Sequence, residues 1–327
     1  MTQVSNTYDS YDMKGIREDL SDIIYNITPD DTPFLSACKK AKATSTYYEW
    51  QTDTLRSAVD TNYHIDGDET AFEDPTASVR LGNYTQIFKN AVIVSDTASA
   101  VTAAGRKEEM AYQMLKVARE QKLDIEKTLF SNHERIVGTS SVPRQMAGLG
   151  AIIKTNTNKQ SGNGGSDPTT ILTDPRNDDG TPTAFDGDGS AAQASIKFDD
   201  VMEKIWTSGG NPDRCYLSPF QMNQALNFVG NNNQRSQVQA GDQKVIKSLD
   251  VYVTPWGTVE FVPSREIRGR DVYILQNDMW AIHELRPTTS TELAKTGDAT
   301  KRQVLTELTL CAKNEASSGG IFDNTTT

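Results

Sequence analysis

The longest stretch with one hydrophobic period covers residues 104–133. Apolar or small side chains recur there at the spacing of one helical face, and charged side chains fill the opposite face. The apolar set is Ala111, Met114, Leu115, Ala118, Ile125 and Leu129. Lys116 and Glu120, and likewise Lys122 and Glu126, are spaced to pair across one turn. The pattern predicts an amphipathic helix over 104–133, which alone is typical of a surface helix lying on a sheet.

Two short helices are predicted before residue 44. The apolar residues within 20–27 have helical spacing, and Thr28-Pro29 ends that helix because Pro disfavours helix in the residue before it. Thr32-Pro33 predicts the start of the second helix, with a hydroxyl N-cap and Pro at the first helical position. Helices this short are unstable alone in water. We therefore expect them to lie on their own domain or on a neighbouring subunit.

From residue 45 the period changes to that of strands. Tyr48 and Trp50 fall on one side of a predicted strand, and 79–88 is the predicted return strand. The segment between them is acidic, with no Lys or Arg between Arg56 and Arg80. It cannot bury much apolar surface, so we expect it to project as a long two-stranded loop. The apolar run 91–94 predicts a strand covered on both faces.

The rest of the chain divides into a polar stretch and a second compact region. Residues 151–156 suggest a short strand, and Gly, Asp, Asn, Thr and Pro dominate 156–194, which predicts a surface insertion or a domain junction. Beyond it the pattern predicts a helix from Phe198 to a stop at Gly209-Gly210, a strand at 215–217 and a helix capped by Ser218-Pro219.

Strands dominate the C-terminal part of the prediction. A hairpin is expected over 250–263, with Val251 and Val253 alternating in one strand and Val259 and Phe261 in the other. Further strands are predicted at 271–275 and 280–285. The last is 303–313, where strict alternation predicts one buried face and one wet face.

Charge and cysteine content narrow the function classes. The 327 residues include 33 Lys plus Arg against 44 Asp plus Glu, a net charge of −11. That balance argues against a protein that grips nucleic acid, although it allows one that surrounds it. No apolar run is long enough to span a membrane. Cys38, Cys215 and Cys311 are odd in number and far apart, so we expect reduced, buried thiols without a disulfide framework.

Candidate chemistry is sparse. His64, His133 and His283 lie in different kinds of segment and lack metal-ligand spacing. The run from Asp186 fails as a calcium loop, because Lys197 stands where the closing Glu is needed. No phosphate loop, dinucleotide fingerprint or nucleophile elbow is present. A loose basic set is more typical of a solvated or subunit-facing patch; it comprises Lys247, Arg265, Arg268 and Arg270.

We therefore expect no catalytic site, no cofactor and no metal. Extended segments without a core of their own gain little in solvent, since nothing offsets their ordering entropy. Ordering such segments becomes favourable when neighbouring copies of the chain bury them. The sequence thus favours a self-assembling α+β structural protein.

Five segments, in this order, resemble one known family. They are GIREDLSDIIYNITPDDTPFLSA, YYEWQTDTL, RLGNYTQIFKNAVIVSDTA, AGRKEEMAYQ and LRPTTSTELAKTGDATKRQVLTELTLCAKNEAS. The family is a branch of the major capsid proteins of tailed double-stranded DNA bacteriophages, which share the Hong Kong 97-type fold. The resemblance runs over 15–316 and is weakest over 156–194.

The resemblance implies a division of the chain. The implied parts are an N-terminal arm (1–44), an extended β loop (45–92), a peripheral domain (93–155 and 277–327) with a long spine helix (104–133), an insertion or junction loop (156–194) and an axial domain (195–276). It also implies hexamers and pentamers that close into an icosahedral shell around the packaged genome.

The implied partners and contacts follow from that assembly. Besides copies of itself, the chain would meet portal, scaffolding and cement or decoration proteins, with a separate scaffold since no scaffolding segment precedes residue 15. It would be made in the bacterial cytoplasm, reside in the virion, touch no membrane and enclose double-stranded DNA without sequence-specific binding. The expected subunit contacts are Tyr48, Trp50, Asp66, Asp68, Glu69, Arg80, Arg119 and Lys127.

Two alternatives remain open at this point. One is another phage structural protein, such as a decoration or tail component. The other, from a different class, is an enzyme with a dispersed acidic active site. The high copy number of a shell protein in purified virions would separate the leading interpretation from both.

Overall fold

A computed structural model describes residues 31–69, 72, 77–101, 108–159, 166–177, 196–225 and 251–326. The helices are α1 (Pro33–Ala37), α2 (Asp96–Ala100), α3 (Glu109–Leu129), α4 (Leu149–Ile152), α5 (Ile196–Thr207) and α6 (Pro219–Ala225). The strands are β1 (Lys39–Lys42), β2 (Tyr47–Thr52), β3 (Val79–Tyr84), β4 (Gln86–Ser95), β5 (Asn156–Asn158), β6 (Arg214–Leu217), β7 (Val251–Thr254), β8 (Gly257–Pro263), β9 (Val272–Leu275), β10 (Trp280–Glu292), β11 (Ala299–Ala312) and β12 (Gly319–Ile321).

A four-stranded sheet of order β1-β10-β11-β4 carries helix α3 on one face. Strands β10 and β11 form a long antiparallel hairpin, and β4 runs antiparallel to β11. Strand β1 joins the other edge parallel to β10. Because the strands come from distant parts of the sequence, this sheet ties residues 39–42 and 86–95 to the C-terminal third of the chain.

Strand β11 is buried on both faces over its second half, so the predicted wet face is wrong there. Glu307 and Thr309, expected in solvent, are buried like Leu308 and Leu310. Strands β2 and β3 lie against β11 and cover the face that the alternation assigned to water. An alternating pattern predicts a strand correctly but cannot predict what covers its polar side.

Helix α3 confirms the predicted amphipathic helix but with a different phase. The helix runs from Glu109 to Leu129, and residues 102–107 lie outside the described residues. Ile125 and Leu129 are buried as predicted, and Val117 and Gln121 are buried with them, whereas Leu115 is 56% exposed and Ala111 is exposed too. The apolar stripe was misplaced because Gln121 is polar yet buried, where its amide Nε2 donates to the Phe88 carbonyl at 2.8 Å.

Of the two predicted charge pairs of α3, Lys116–Glu120 forms, whereas Glu126 has other partners than Lys122. Lys116 and Glu120 form an ion pair at 3.8 Å. Glu126 instead turns inward and accepts hydrogen bonds from the first residues of α1. The predicted helix over 20–27 lies outside the described residues.

Strand β4 is the last strand of the four-stranded sheet, and one of its faces is left exposed by the described residues, whereas cover on both faces was predicted. Ile93 is 61% exposed, while Phe88 and Val94 on the other face are buried. Helix α3 covers only that second face. Strand β4 also begins at Gln86 and pairs with β11 from Gln86 to Ser95, so the implied boundary at residue 92 falls inside a strand.

A six-stranded sheet of order β5-β12-β9-β6-β8-β7 forms the second layer, with α5 packed on it. Its core contains the predicted helical set Phe198, Val201, Met202 and Ile205, all fully buried. The predicted β7–β8 hairpin is present, with its turn at residues 255–256. The phase of β7 is wrong: Val251 and Val253 are exposed, because Tyr252 points inward against the Phe198 ring.

The stretch 156–194, predicted as a surface insertion or a domain junction, begins with a buried residue of the six-stranded sheet. Asn156 is buried in strand β5, which pairs parallel with β12. Leu172 is fully buried, and the Arg176 guanidinium lies over the Phe322 ring at 3.5 Å. The strand suggested over 151–156 is replaced by the helical turn α4 followed by β5. Residues 160–165 and 178–195 lie outside the described residues.

Candidate assembly surfaces

A two-stranded hairpin of β2 and β3 stands on the four-stranded sheet. Its strands pair antiparallel from Tyr47 opposite Tyr84 to Thr52 opposite Val79. At its root Arg135 donates to the Tyr47 hydroxyl at 2.8 Å and to the Gly82 carbonyl. A Cβ at Gly82 would come within 2.7 Å of the Tyr47 ring, so a larger residue here would displace the end of the Tyr47 side chain. These contacts fix the hairpin to the body.

Tyr48 and Trp50, two of the predicted contact residues, lie against their own chain. The Tyr48 ring stacks on His283 with centroids 3.8 Å apart, and Trp50 packs against the larger hydrophobic core. Burial lowers the pKa of His283, which keeps its ring neutral beneath Tyr48. In the single chain both aromatic residues therefore anchor the hairpin.

Beyond Thr52 the chain continues as a segment in which the described residues, 53–69, 72, 77 and 78, form neither helix nor strand and are exposed. It presents large apolar side chains: Leu55 is 99% and Phe72 is 94% exposed, and Tyr63 and Ile65 are exposed as well. Large exposed apolar side chains gathered on one projecting segment favour an interaction surface. We call residues 53–78 the exposed loop.

The charged residues predicted as contacts lie in separate places. Asp66, Asp68 and Glu69 are exposed in this loop, where Asp68 Oδ2 lies 3.3 Å from Nδ1 of His64. Arg80 pairs with Glu49 across the hairpin. Arg119 and Lys127 are exposed on α3. The structure thus brings the eight residues to three regions and not to one site.

The root of the N-terminal segment is anchored by a buried carboxylate that the sequence did not single out. Glu126 Oε1 and Oε2 accept from the Phe34 and Leu35 backbone N–H groups at 2.9 and 2.8 Å. Phe34 is fully buried, with its ring 5.3 Å from that of Phe130 and 5.4 Å from that of Tyr216. Helix α1 begins at Pro33 as predicted, but the Thr32 side chain makes no capping hydrogen bond.

A second buried carboxylate, Glu307, holds the hairpin base to the sheet. It accepts from the Thr85 hydroxyl at 2.8 Å and from Arg144 and Arg286 at 2.6 and 2.7 Å. The two cations come from positions 163 and 21 residues away. No local spacing links these residues, so sequence reasoning missed the cluster.

A cavity of about 620 Å³ opens at the C-terminal end of α3 and contains part of the predicted basic set. Arg265 and Arg268 line it together with Lys127, but Asp124 and Glu266 line it too. Arg265 also pairs with Asp31 at 3.5 Å, and Lys247 lies outside the described residues. The set is therefore a mixed-charge surface.

Catalytic or metal chemistry gains no support from the described part of the chain. It contains no group of three or more His, Cys, Asp or Glu side chains arranged to hold a metal ion. Cys38, Cys215 and Cys311 are free and buried, and burial raises the pKa of each thiol, which suppresses thiolate reactivity. No helix among the described residues has the length and apolar character needed to cross a membrane.

The α+β body, with a long helix on one sheet and a projecting hairpin, has the Hong Kong 97-type fold of phage capsid subunits. A family model described as SU10 major capsid protein matches residues 2–325, and the chain therefore belongs to this family of phage shell proteins. The predicted family, fold class, shell function and location in the virion are confirmed. Membership of a major capsid protein family also argues against the alternative that the chain is a tail or decoration protein.

Individual relatives agree with the family match. The major capsid protein of Escherichia phage Phieco32 is 28% identical over 348 residues, covering 96% of each chain. The cyanophage A-1(L) capsid asymmetric unit contains a similar chain, with a TM-score of 0.63, 12% identity and coverage of 98% of this chain and 99% of that one. A chain of Microbacterium phage Oxtober96 is also similar, with a TM-score of 0.60 and 10% identity. The match covers 94% of this chain and 95% of that one. At these identities the two structures show a shared fold.

Proposed function

We propose that the chain assembles as hexamers and pentamers in which the exposed loop of each copy lies on a neighbouring copy. The observation that carries this proposal is the exposure of Leu55, Tyr63, Ile65 and Phe72, which find no cover among the described residues of their own chain. Burying one such side chain stabilises a contact by about 1.5–3 kcal/mol. Several of them per subunit, repeated around a ring, supply a substantial assembly energy.

The rigid hairpin supports the same proposal. Its root is fixed by Arg135 and by the stacked Tyr48–His283 pair, so the exposed loop leaves the body in a defined direction. A preorganised contact element loses less conformational entropy when it docks. The arm at 1–44, the eight predicted contact residues, and the portal, scaffolding and decoration partners remain parts of this proposal.

We further propose that the protein has no enzymatic activity and encloses DNA without reading its sequence. Its family is one of structural capsid proteins, and its net charge is −11. Repulsion between an acidic shell and DNA phosphates would let the genome move during packaging, whereas tight binding would hinder it.

The loop proposal is tested by removing apolar surface without removing the loop. In one variant Leu55, Tyr63 and Ile65 are each replaced by Ser. We expect a folded subunit with unchanged circular dichroism, since these side chains contact little of their own chain. Shell yield should fall at least tenfold by sedimentation and negative-stain microscopy.

The matched control changes three polar residues of the same loop, Thr54, Thr61 and Asn62, to Ser. It should assemble like the unaltered chain. Normal shells from the apolar variant would show that the exposed loop is not an assembly contact. Failure of both variants would instead point to a general requirement for the loop's conformation, and would contradict the apolar mechanism.

A further inference from the structure

Glu126 caps a helix that belongs to another part of the chain. In α1, Pro33 has no backbone N–H and the Thr32 hydroxyl makes no cap, so Phe34 and Leu35 offer the first free donors. Both donate to Glu126, at 2.9 and 2.8 Å. The carboxylate therefore links the root of the N-terminal segment to the middle of the structure through two backbone contacts.

Among the residues that the structure describes, no cation pairs with this buried carboxylate. Glu126 is 0% exposed, and within the described residues its partners are those two neutral N–H groups. The titratable groups that act on it are Glu266, from the segment after β8, and the Cys38 thiol at the end of α1. Burial and, to a smaller extent, the charge of Glu266 raise the pKa of Glu126, the two N–H bonds lower it, and the net result is a pKa of about 7.

Release of residues 32–37 would expose Glu126 to water, where its carboxyl group regains its ordinary acidity. We propose that Glu126 makes the attachment of the N-terminal segment depend on pH, with docking of residues 32–37 taking up one proton. Lower pH then strengthens the attachment, and higher pH loosens it.

The sign follows from the two protonation equilibria. The docked pKa of about 7 lies above the ordinary value of 4.5, so the docked state holds more protons between these limits. The stabilisation is fully present below about pH 4.5 and is lost as pH rises through 7. These two values predict a docking constant on the order of 50-fold larger at pH 5 than at pH 8.

Hydrogen exchange of the full chain measures this attachment directly. Exchange of the segment 32–38 is followed between pH 5 and pH 8 and corrected for the intrinsic rate at each pH. We expect its protection to fall on the order of 50-fold across that range. The buried strand β9 serves as an internal reference and should show no such change.

Two substitutions separate Glu126 from general effects of pH. Glu126→Gln removes the titrating group and should abolish the pH dependence, while Glu120→Gln, at an exposed position of the same helix, should retain it. Equal pH dependence in Glu126→Gln would overturn the proposal. So would protection in the unaltered chain that is constant or rises with pH, because the N–H bonds would then hold the carboxylate ionised.

If Glu126→Gln does not fold, the carboxyl carbon of Glu126 can be titrated by nuclear magnetic resonance in the unaltered chain. A midpoint near 7 supports the proposal, and a midpoint at or below 4.5 overturns it. Neither measurement depends on shell formation, so this result is distinct from the loop test.

Discussion

Buried carboxylates show how single residues organise this subunit. Glu307 is 2% exposed and joins three segments through Thr85, Arg144 and Arg286. Charge-assisted bonds of this kind are favourable because the partners satisfy the desolvated carboxylate. Within the part of the chain that is described, Glu126 is held by two neutral N–H groups, and burial raises its pKa. One glutamate, Glu307, therefore holds the hairpin base at any pH at which it is ionised. We propose that the other, Glu126, holds residues 32–37 in a way that depends on pH.

Replacing Glu307 by Ala should destabilise the unassembled subunit by about 2–3 kcal/mol, because it leaves two guanidinium groups without their shared carboxylate. The measurement is urea unfolding followed by circular dichroism. Glu120→Ala, which removes only the exposed pair with Lys116, should cost less than about 0.5 kcal/mol. Equal effects of the two substitutions would show that the Glu307 cluster contributes nothing beyond an exposed ion pair.

At the scale of elements, periodicity predicted the kind of element better than its phase. Strand β7 buries the face opposite to the predicted one. Helix α3 buries a face rotated from the predicted one, and β11 buries its predicted face and the other face as well. The cause is physical: Gln121 and Glu307 are polar residues whose partners lie far away in the sequence. A local pattern assigns such residues to solvent, so it displaces the buried face or leaves it incomplete.

The corrected phase of α3 is testable with one substitution at two positions. Val117→Asp should prevent folding, since it buries a charge on the inner face of α3 at a cost of several kcal/mol. Leu115→Asp, only two residues away, should leave the fold intact because that side chain is 56% exposed. Soluble yield and thermal unfolding of the two variants decide the matter. If Leu115→Asp also failed to fold, the result would support the buried face predicted from the sequence and contradict the one in the structure.

For the whole molecule, local sequence could not predict which strands share a sheet. Strand β1 pairs with β10, and β4 pairs with β11, across more than half of the chain. The family resemblance implied the division of the chain and the shell but not these pairings, because partners so far apart in the sequence leave no local pattern. The exposed loop was predicted from its acidic residues, whereas its apolar side chains, which carry the assembly proposal, became informative only when their exposure was known.

The net charge of −11 leads to a prediction for the assembled particle and its genome. Empty shells and free subunits should not bind short DNA duplexes of any base sequence at about 150 mM salt, because non-specific DNA binding depends on clustered cations. Gel retardation with two unrelated duplexes measures this. A variant with Asp66, Asp68 and Glu69 changed to Lys provides the control and should retain both duplexes in a salt-sensitive way. Retention of one duplex over the other by the unaltered protein would contradict enclosure without sequence recognition, since only base contacts or sequence-dependent DNA shape can discriminate.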